Sequence, residues 1–365
     1  MKRAFIFGEF INKSTTGIAY VNTNLKSALK DLRYDIKTID DPRSNDYFKY
    51  NGMVTRNIYF LEFIRIIINI LNSEKYSIAY LTISMSYLGL LKSLLITSVL
   101  KLRTNKLYLY IHRGDIDFHN NRSLLKKILI RIHFLLSSKI ILLSKIFLKQ
   151  NAFKKFQKKI LVIPNSLSKY DSAYSNKIYE KKLKSHNENY KQNIIKLIFS
   201  ANIHSSKGIH EIIKAVKIIN EEKKFFLVKL DIFGMKFEDI DTSNKHIKYR
   251  GKLSTTNRLN IMSDYDFLIL SSKTEGLPIT LIECLAIGLP FITTNIGAIP
   301  DLLIENYPYV SSGDYMSILK NIEKAYFDLE NNRKYINSII KENNKLFHQR
   351  FQYKSFVNSL KINLN

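Results

Sequence analysis

"YDFLILSSKTEGLPITLIECLAIGLPFITTN", Tyr265 to Asn295, reads as strand, turn, helix and strand. "YDFLILSS" (Tyr265 to Ser272) is a continuous apolar run of strand length, as a sheet covered on both faces requires. "KTEG" is the turn that follows. Pro278 suits the first helical position, where its missing amide hydrogen would have no partner in any case. Gly288 reads as the glycine just past the helix end, Pro290 prevents continuation, and "PFITTN" is the next strand. The intervening helix has no polar side, which predicts burial. Glu275 then lies on the loop at the carboxyl end of a strand. Glu283 lies within the helix, next to Ile279, Thr280, Ala286 and Ile287 at three- and four-residue spacing.

An ionised carboxylate in such a helix needs donors, because unpaired burial is costly. Two readings supply them. A backbone amide or a lysine elsewhere in the fold satisfies Glu283, or a ligand with vicinal hydroxyls, such as a ribose, does. The helix amino end near Gly276 and Leu277 offers free amides and a positive dipole end to a phosphate. Together these features describe a nucleotide site.

Working outward, strand-like and helix-like runs alternate along the whole chain, from "RAFIFGEF" through "SIAYLTIS", "KLYLYIH", "KIILLS" and "KILVIP" to "IIKLIFS", "FLVKLDIFG" and "HIKYRG". This alternation predicts an α/β fold of doubly wound parallel sheets with helices on both faces. At 365 residues and 45% hydrophobic content the chain suits two domains rather than one core. The polar stretch Ser175 to Asn193 is the best linker, with a short helix over Tyr179 to Leu183 as an option. Boundaries of 1–180, 190–345 and 346–365 follow, the last segment reading as helix. Two Rossmann-like lobes facing across a cleft are the expected architecture, with ligands at the carboxyl ends of the strands.

The single cysteine, Cys284, excludes an intrachain disulfide framework and a cysteine-based zinc site, and fits a reducing compartment. The run before Glu9 is too short for a signal-peptide core, and Tyr76 to Leu100 reads as a buried βα segment rather than a membrane span. The formal net charge of +26 permits polyanion partners such as nucleic acid, anionic lipid or phosphorylated substrates. Codon composition rich in A and T would raise lysine in the same way, and both readings stand. No RNA- or DNA-binding motif is present.

With these residues in place, "EGLPITLIE" and its surroundings resemble the E-x7-E block of retaining family-4-type glycosyltransferases of the GT-B fold (glycosyl transferases group 1). The likeness is strongest from about Ser200 to Leu303. It implies a C-terminal donor domain, an N-terminal acceptor-side domain, and C-terminal helices returning to the N-terminal lobe. It further implies that Glu283 holds the ribose hydroxyls of a nucleotide-sugar donor and that Glu275 lies by the donor sugar. Gly276 and Leu277 match the diphosphate-binding turn, and Asn295 to Gly297 a second glycine loop, with Asp301 where glutamate is more common. Lys207 in "SANIHSSKGIHEIIKAV" matches the lysine that neutralises the leaving diphosphate. The partner arginine is replaced by Asn202, for which Arg250 in "KYRGKL" is a candidate substitute. Gly17 falls where the family keeps a glycine loop near the phosphates, with one glycine in place of two. His112 ends a strand as does the family's cleft histidine, with Arg113 and Asp115 beside it. Asn165 in "VIPNSL" matches a structural turn.

The resemblance implies sugar transfer from a nucleoside-diphosphate sugar to an acceptor hydroxyl with retention, by front-face attack, needing no cofactor or metal. No D-x-D motif stands at a plausible strand end. Lipid-linked acceptors, a cytoplasmic step in surface polysaccharide assembly and association with an anionic membrane are its further implications. Arg122 to Lys159 is the candidate membrane face: Leu125, Ile128, Leu129, Ile132 and Leu136 form a core-facing stripe, with Arg122, Lys126, Lys127, Arg131, Ile130 and Phe134 facing elsewhere. A donor-binding but inactive subunit, a nucleotide-sugar epimerase and, more remotely, a nucleic-acid-binding protein are the alternatives.

Overall fold

The apolar strand runs assemble into two separate six-stranded parallel sheets. The computed structural model describes residues 2–11, 16–41, 54–187, 193–222, 225–254 and 256–364. The chain divides into two units, Met1–Ser166 with Lys354–Asn365, and Leu167–Tyr353.

In the first unit the elements are β1 (Arg3–Gly8), α1 (Gly17–Asp31), β2 (Asp35–Asp40), α2 (Val54–Leu71), β3 (Ile78–Thr82) and α3 (Tyr87–Arg103). There follow β4 (Leu107–Ile111), α4 (Ile116–Asn121), α5 (Leu124–Leu136), β5 (Lys139–Leu142) and β6 (Ile160–Val162). Their sheet order is β2-β1-β3-β4-β5-β6. β4 is buried at all five positions, as a central parallel strand must be, whereas the edge strand β2 keeps its charged residues half exposed.

The second unit holds α6 (Lys169–Asn187), β7 (Ile194–Ser200), α7 (Ile209–Glu222), β8 (Leu227–Phe233), β9 (Ile247–Gly251) and α8 (Arg258–Ser263). It continues with β10 (Phe267–Leu270), α9 (Ile279–Ile287), β11 (Phe291–Thr294), β12 (Val310–Ser311), α10 (Tyr315–Asn331) and α11 (Arg333–Arg350). The order is β12-β11-β10-β7-β8-β9, with β10 and β11 buried throughout. The final helix, α12 (Tyr353–Leu364), returns to the first unit, where Lys106 Nζ donates to the carbonyl of Leu364 at 3.3 Å.

Two expectations need correction here. The stretch from Ser175 to Asn193 is helical as far as Asn187, and the units divide at Ser166/Leu167 and Tyr353/Lys354. Burial of Ile178 and Lys182 at helical spacing explains the helix. Lys182 Nζ donates to the carbonyls of Ser263 (3.0 Å) and Tyr265 (2.8 Å), and burial lowers its pKa to about 8. Second, α5 is turned relative to the expected stripe. Lys126, Leu129, Ile130, His133 and Phe134 are buried, while Leu125 and Ile128 are exposed. "LLKKILIRIHFLL" is apolar nearly all round, so its period does not choose a face. Polar partners choose it: Lys126 Nζ donates to the Met85 carbonyl at 2.9 Å, and His133 Nε2 lies 3.0 Å from Ser93 Oγ.

Candidate active site

In the second sheet the strand order reverses between β7 and β10, because the chain moves from β7 to β8 on one side and β10 lies on the other. At such a switch point the loops from two neighbouring strands part and leave a crevice at their carboxyl ends. The loop after β7 carries Lys207, and the loop after β10 carries Glu275. Lys207 Nζ meets Glu275 Oε1 at 2.5 Å, and Ser272 Oγ donates to the same oxygen at 2.7 Å. Both ionic groups are largely buried, so the pair is poorly screened.

Backbone contacts fix these loops. The Lys273 amide donates to the Ser206 carbonyl at 2.8 Å, and the Ala298 amide to the Gly276 carbonyl at 2.9 Å. Gly208 sits at φ +71°, and a Cβ there would lie 2.0 Å from the Ser271 carbonyl oxygen. Gly297 sits at φ +57°, where a Cβ would lie 2.2 Å from the carbonyl oxygen of Glu275. Only glycine allows either approach. Three loops, after β7, β10 and β11, are thereby stitched around Glu275, Gly276 and Leu277. Asn295 follows β11 and is exposed.

α9 begins at Ile279. Pro278 is its flanking residue rather than its first helical one, because ψ is 123°, and it supplies no side-chain cap. The first-turn amides of α9 therefore have no side-chain acceptor at the cap and add their dipole to the charge of Lys207. At the far end Gly288, at φ +68°, closes the helix as its sequence position predicts.

Glu283 is buried on α9, and its partner is one that sequence reasoning missed. Arg258 Nε donates to Glu283 Oε1, and Arg258 Nη2 donates to Asp171 Oδ2 at 2.5 Å. One guanidinium on the short α8 thus joins carboxylates from α9 and α6. Burial raises the pKa of Glu283, and Arg258 opposes that rise. The apolar setting of Glu283 signalled that a donor was required. Nothing local in the sequence identified a residue twenty-five positions upstream.

Asn202 lies just past β7, with the backbone of Gly234 packed against Ala201 and Asn202, and its side chain makes no hydrogen bond among the described residues. Arg250 is engaged elsewhere. It donates to Asp231 at 3.0 Å and lines a basic cavity of about 350 Å³ with Lys229, Lys245, His246 and Lys248. Asp301 pairs with Arg350 at 3.5 Å.

The remaining candidates belong to the first unit, whose own strand order reverses between β1 and β3. Gly17 is the first residue of α1, capped by Thr16, whose hydroxyl accepts from the Ala19 amide at 3.2 Å and donates to Glu9 at 2.6 Å. Most of the loop before it, residues 12–15, lies outside the described residues. His112 follows β4, with Nε2 3.3 Å from Thr82 Oγ1 and its ring 4.3 Å from that of Tyr110. Burial lowers its pKa to about 3, so the imidazole is neutral at physiological pH. Arg113 makes two bonds to Asp115, at 2.8 and 2.7 Å, and Asn165 is buried.

Residues 179–342 match the family model of glycosyl transferases group 1. An uncharacterized glycosyltransferase of Methanocaldococcus jannaschii, MJ1178, is 24% identical over 353 residues, which cover 93% of this chain and 92% of that protein. Among solved structures, sucrose-phosphate synthase from Thermosynechococcus elongatus superposes with a TM-score of 0.71 at 10% identity, covering 99% of this chain and 98% of that one. Anabaena Alr3699/HepE in complex with UDP and glucose does so with a TM-score of 0.64 at 13% identity, with coverage of 99% and 98%. The two parallel sheets have the fold of the GT-B glycosyltransferases.

Proposed function

We propose that the chain, whose residues 179–342 match the family model of glycosyl transferases group 1, moves a sugar from a nucleoside-diphosphate sugar to an acceptor hydroxyl with retention of configuration. The observation that carries the reading is the Lys207–Glu275 pair beside the amino end of α9, at the switch point of the second sheet. Negative charge grows on the diphosphate as the bond from the sugar C1 to the phosphate oxygen breaks. Lys207 and the first-turn amides of α9 stabilise it, and Glu275 faces the positive charge developing on the sugar. The acceptor oxygen attacks from the same face, and its proton passes to the departing phosphate. Double displacement needs two carboxylates about 5 Å apart around the sugar. Glu283 is committed to Arg258 inside the fold, which favours the front-face course.

Glu283 keeps the ribose role in this reading, beside Arg258, which opposes the rise that burial gives its pKa. Asn295 and Gly297 border the donor. HepE is a complex with UDP and glucose, which favours a UDP-sugar as the first donor to try. The acceptor is a lipid-linked glycan in surface polysaccharide assembly, met by the protein at the inner face of a membrane. Among the described residues no helix is long and apolar enough to cross one. A thermal-shift panel of UDP-, GDP-, ADP- and CMP-sugars tests the donor site: stabilisation by one of them is expected, and none from any would overturn it. Inverted anomeric configuration in the product, read by NMR, would overturn retention.

A second reading, a donor-binding subunit with little turnover of its own, is favoured by Asn202 standing where the family has a cation. Donor stabilisation without measurable transfer to any acceptor would select it.

A further inference from the structure

The helices on one face of the first sheet present aliphatic side chains to the outside. α3 and α5 connect β3 to β4 and β4 to β5, successive steps in one direction across the sheet. Right-handed crossovers place both on the same face. They run side by side: Tyr87 Oη donates to Ser123 Oγ at 2.6 Å near their amino ends, and Ser93 Oγ meets His133 Nε2 at 3.0 Å further along. Their inner faces cover the sheet. Their outer faces carry Leu88, Leu91 and Leu95 on α3, and Leu124, Leu125 and Ile128 on α5, with Leu88 69% and Leu124 74% exposed. α2, packed beside α3, adds Leu61 and Ile68. Scattered surface leucines need no explanation, but parallel stripes on adjoining helices form one patch, and patches of that kind mark interaction sites.

Charge selects the occupant. α3 contains no acidic residue, and Arg122 to Lys159 holds eleven Lys and Arg with no Asp or Glu. Arg131, Lys154, Lys155 and Lys158 are exposed. On α3 and α5 the outer face is aliphatic and free of carboxylates, and on α2 the single carboxylate, Glu62, pairs with Arg65 at 2.6 Å. Such a face, on a unit with these cations, suits anionic headgroups above acyl chains.

We propose that the outer face of α2, α3 and α5 docks the protein on an anionic bilayer, leucines entering the boundary between headgroups and chains while the lysines meet the phosphates. This rests on the lipid-linked acceptor of the proposed function and replaces the face expected from sequence. The residues read as core-facing, Leu125 and Ile128, are contact residues, and Lys126 is buried.

Sedimentation of the full chain with phosphatidylcholine vesicles, with and without phosphatidylglycerol, tests it. Binding that requires phosphatidylglycerol is expected. The triple variant Leu91→Ser, Leu95→Ser, Leu124→Ser should lower partitioning by at least about tenfold at low and high salt alike. Changing Lys154, Lys155 and Lys158 to Gln should lower it about threefold or more, at low salt only. Leu91→Met and Leu95→Met should restore binding lost through Ser, which separates docking from damage to the fold. No sedimentation of the wild type, or equal sedimentation of the triple variant, would overturn the proposal. So would a wild-type dimer that the triple variant dissociates without any vesicle binding. Thermal shift with nucleotide sugars on the same proteins keeps the two readings apart: docking without donor stabilisation overturns the donor site alone, and transfer to a soluble acceptor without docking overturns this surface alone.

Discussion

α3 and α11 are helices of nearly equal length in a lysine-rich chain, and they treat their outer faces in opposite ways. On α11 the exposed positions are Lys334, Ser338, Lys341, Glu342, Lys345, Gln349 and Arg350. On α3 they include Tyr87, Leu88, Leu91, Leu95 and Leu102, with Lys101 the single cation. A codon bias that inflates lysine would fill both faces alike. The difference shows that composition alone does not explain the oil on α3. The units differ too: the second holds an ionic network of Arg258 with Glu283 and Asp171, and the Lys207–Glu275 pair, while helices of the first turn leucine outward.

The largest effects should come from that network. Arg258→Met removes the guanidinium shared by Glu283 and Asp171, and should destabilise the second unit by about 3–5 kcal/mol, read from the denaturant midpoint. A loss under about 1 kcal/mol would mean the carboxylates are well served without it. Next in size, Lys207→Ala should slow turnover about 10²–10³-fold while leaving vesicle binding unchanged. An equal loss of both would erase the division of labour between the units. Asn202→Arg should raise turnover by about tenfold if a second cation at the diphosphate is what the site lacks. Unchanged turnover would leave Lys207 and α9 sufficient.

A smaller effect concerns acid stability. The folded pKa of His112 is lowered to about 3 from the ordinary 6.5. Between those values the unfolded chain holds a proton that the folded chain does not. Stability from this group is therefore complete above the unfolded value and falls as pH drops toward 3. His112→Asn should flatten the acid limb of melting temperature against pH, and an unaltered limb would move the acid sensitivity elsewhere. The smallest stability change is expected from exchanging the outer faces. Leu91→Lys with Leu95→Lys, and Lys341→Leu with Lys345→Leu, should each alter unfolding free energy by about 0.5 kcal/mol or less per site. Only the first pair should reduce vesicle binding.

Much of this arrangement is legible in the amino-acid sequence. Tyr265 to Asn295 gave its strand, turn, buried helix and closing glycine, because each depends on chemistry within a few residues. Glu275 and Lys207 were selected as candidates by resemblance, and the fold brings them together. Three things were not legible, each for a stated cause. The face of α5 was misassigned because a helix apolar nearly all round takes its orientation from distant partners, here Met85 and Ser93. Arg258 was missed because its two carboxylates lie 25 positions downstream and 87 upstream. Ser175 to Asn193 reads as a linker, although it is helical as far as Asn187, because its lysine-rich surface masks the few buried positions that hold the helix.

One connection has a consequence for how the protein is made. The Leu167 amide donates to the Phe351 carbonyl at 3.2 Å, and the Tyr353 amide to Ser172 Oγ at 3.1 Å, so the second unit begins and ends at one place. It is an insert within the first, which α12 completes with Phe356 and Leu360 buried. During synthesis the second unit can close as soon as Tyr353 has emerged, whereas the first, translated earlier, waits for α12. The half with the outward leucines is therefore the one that ribosome-associated chaperones must shelter longest.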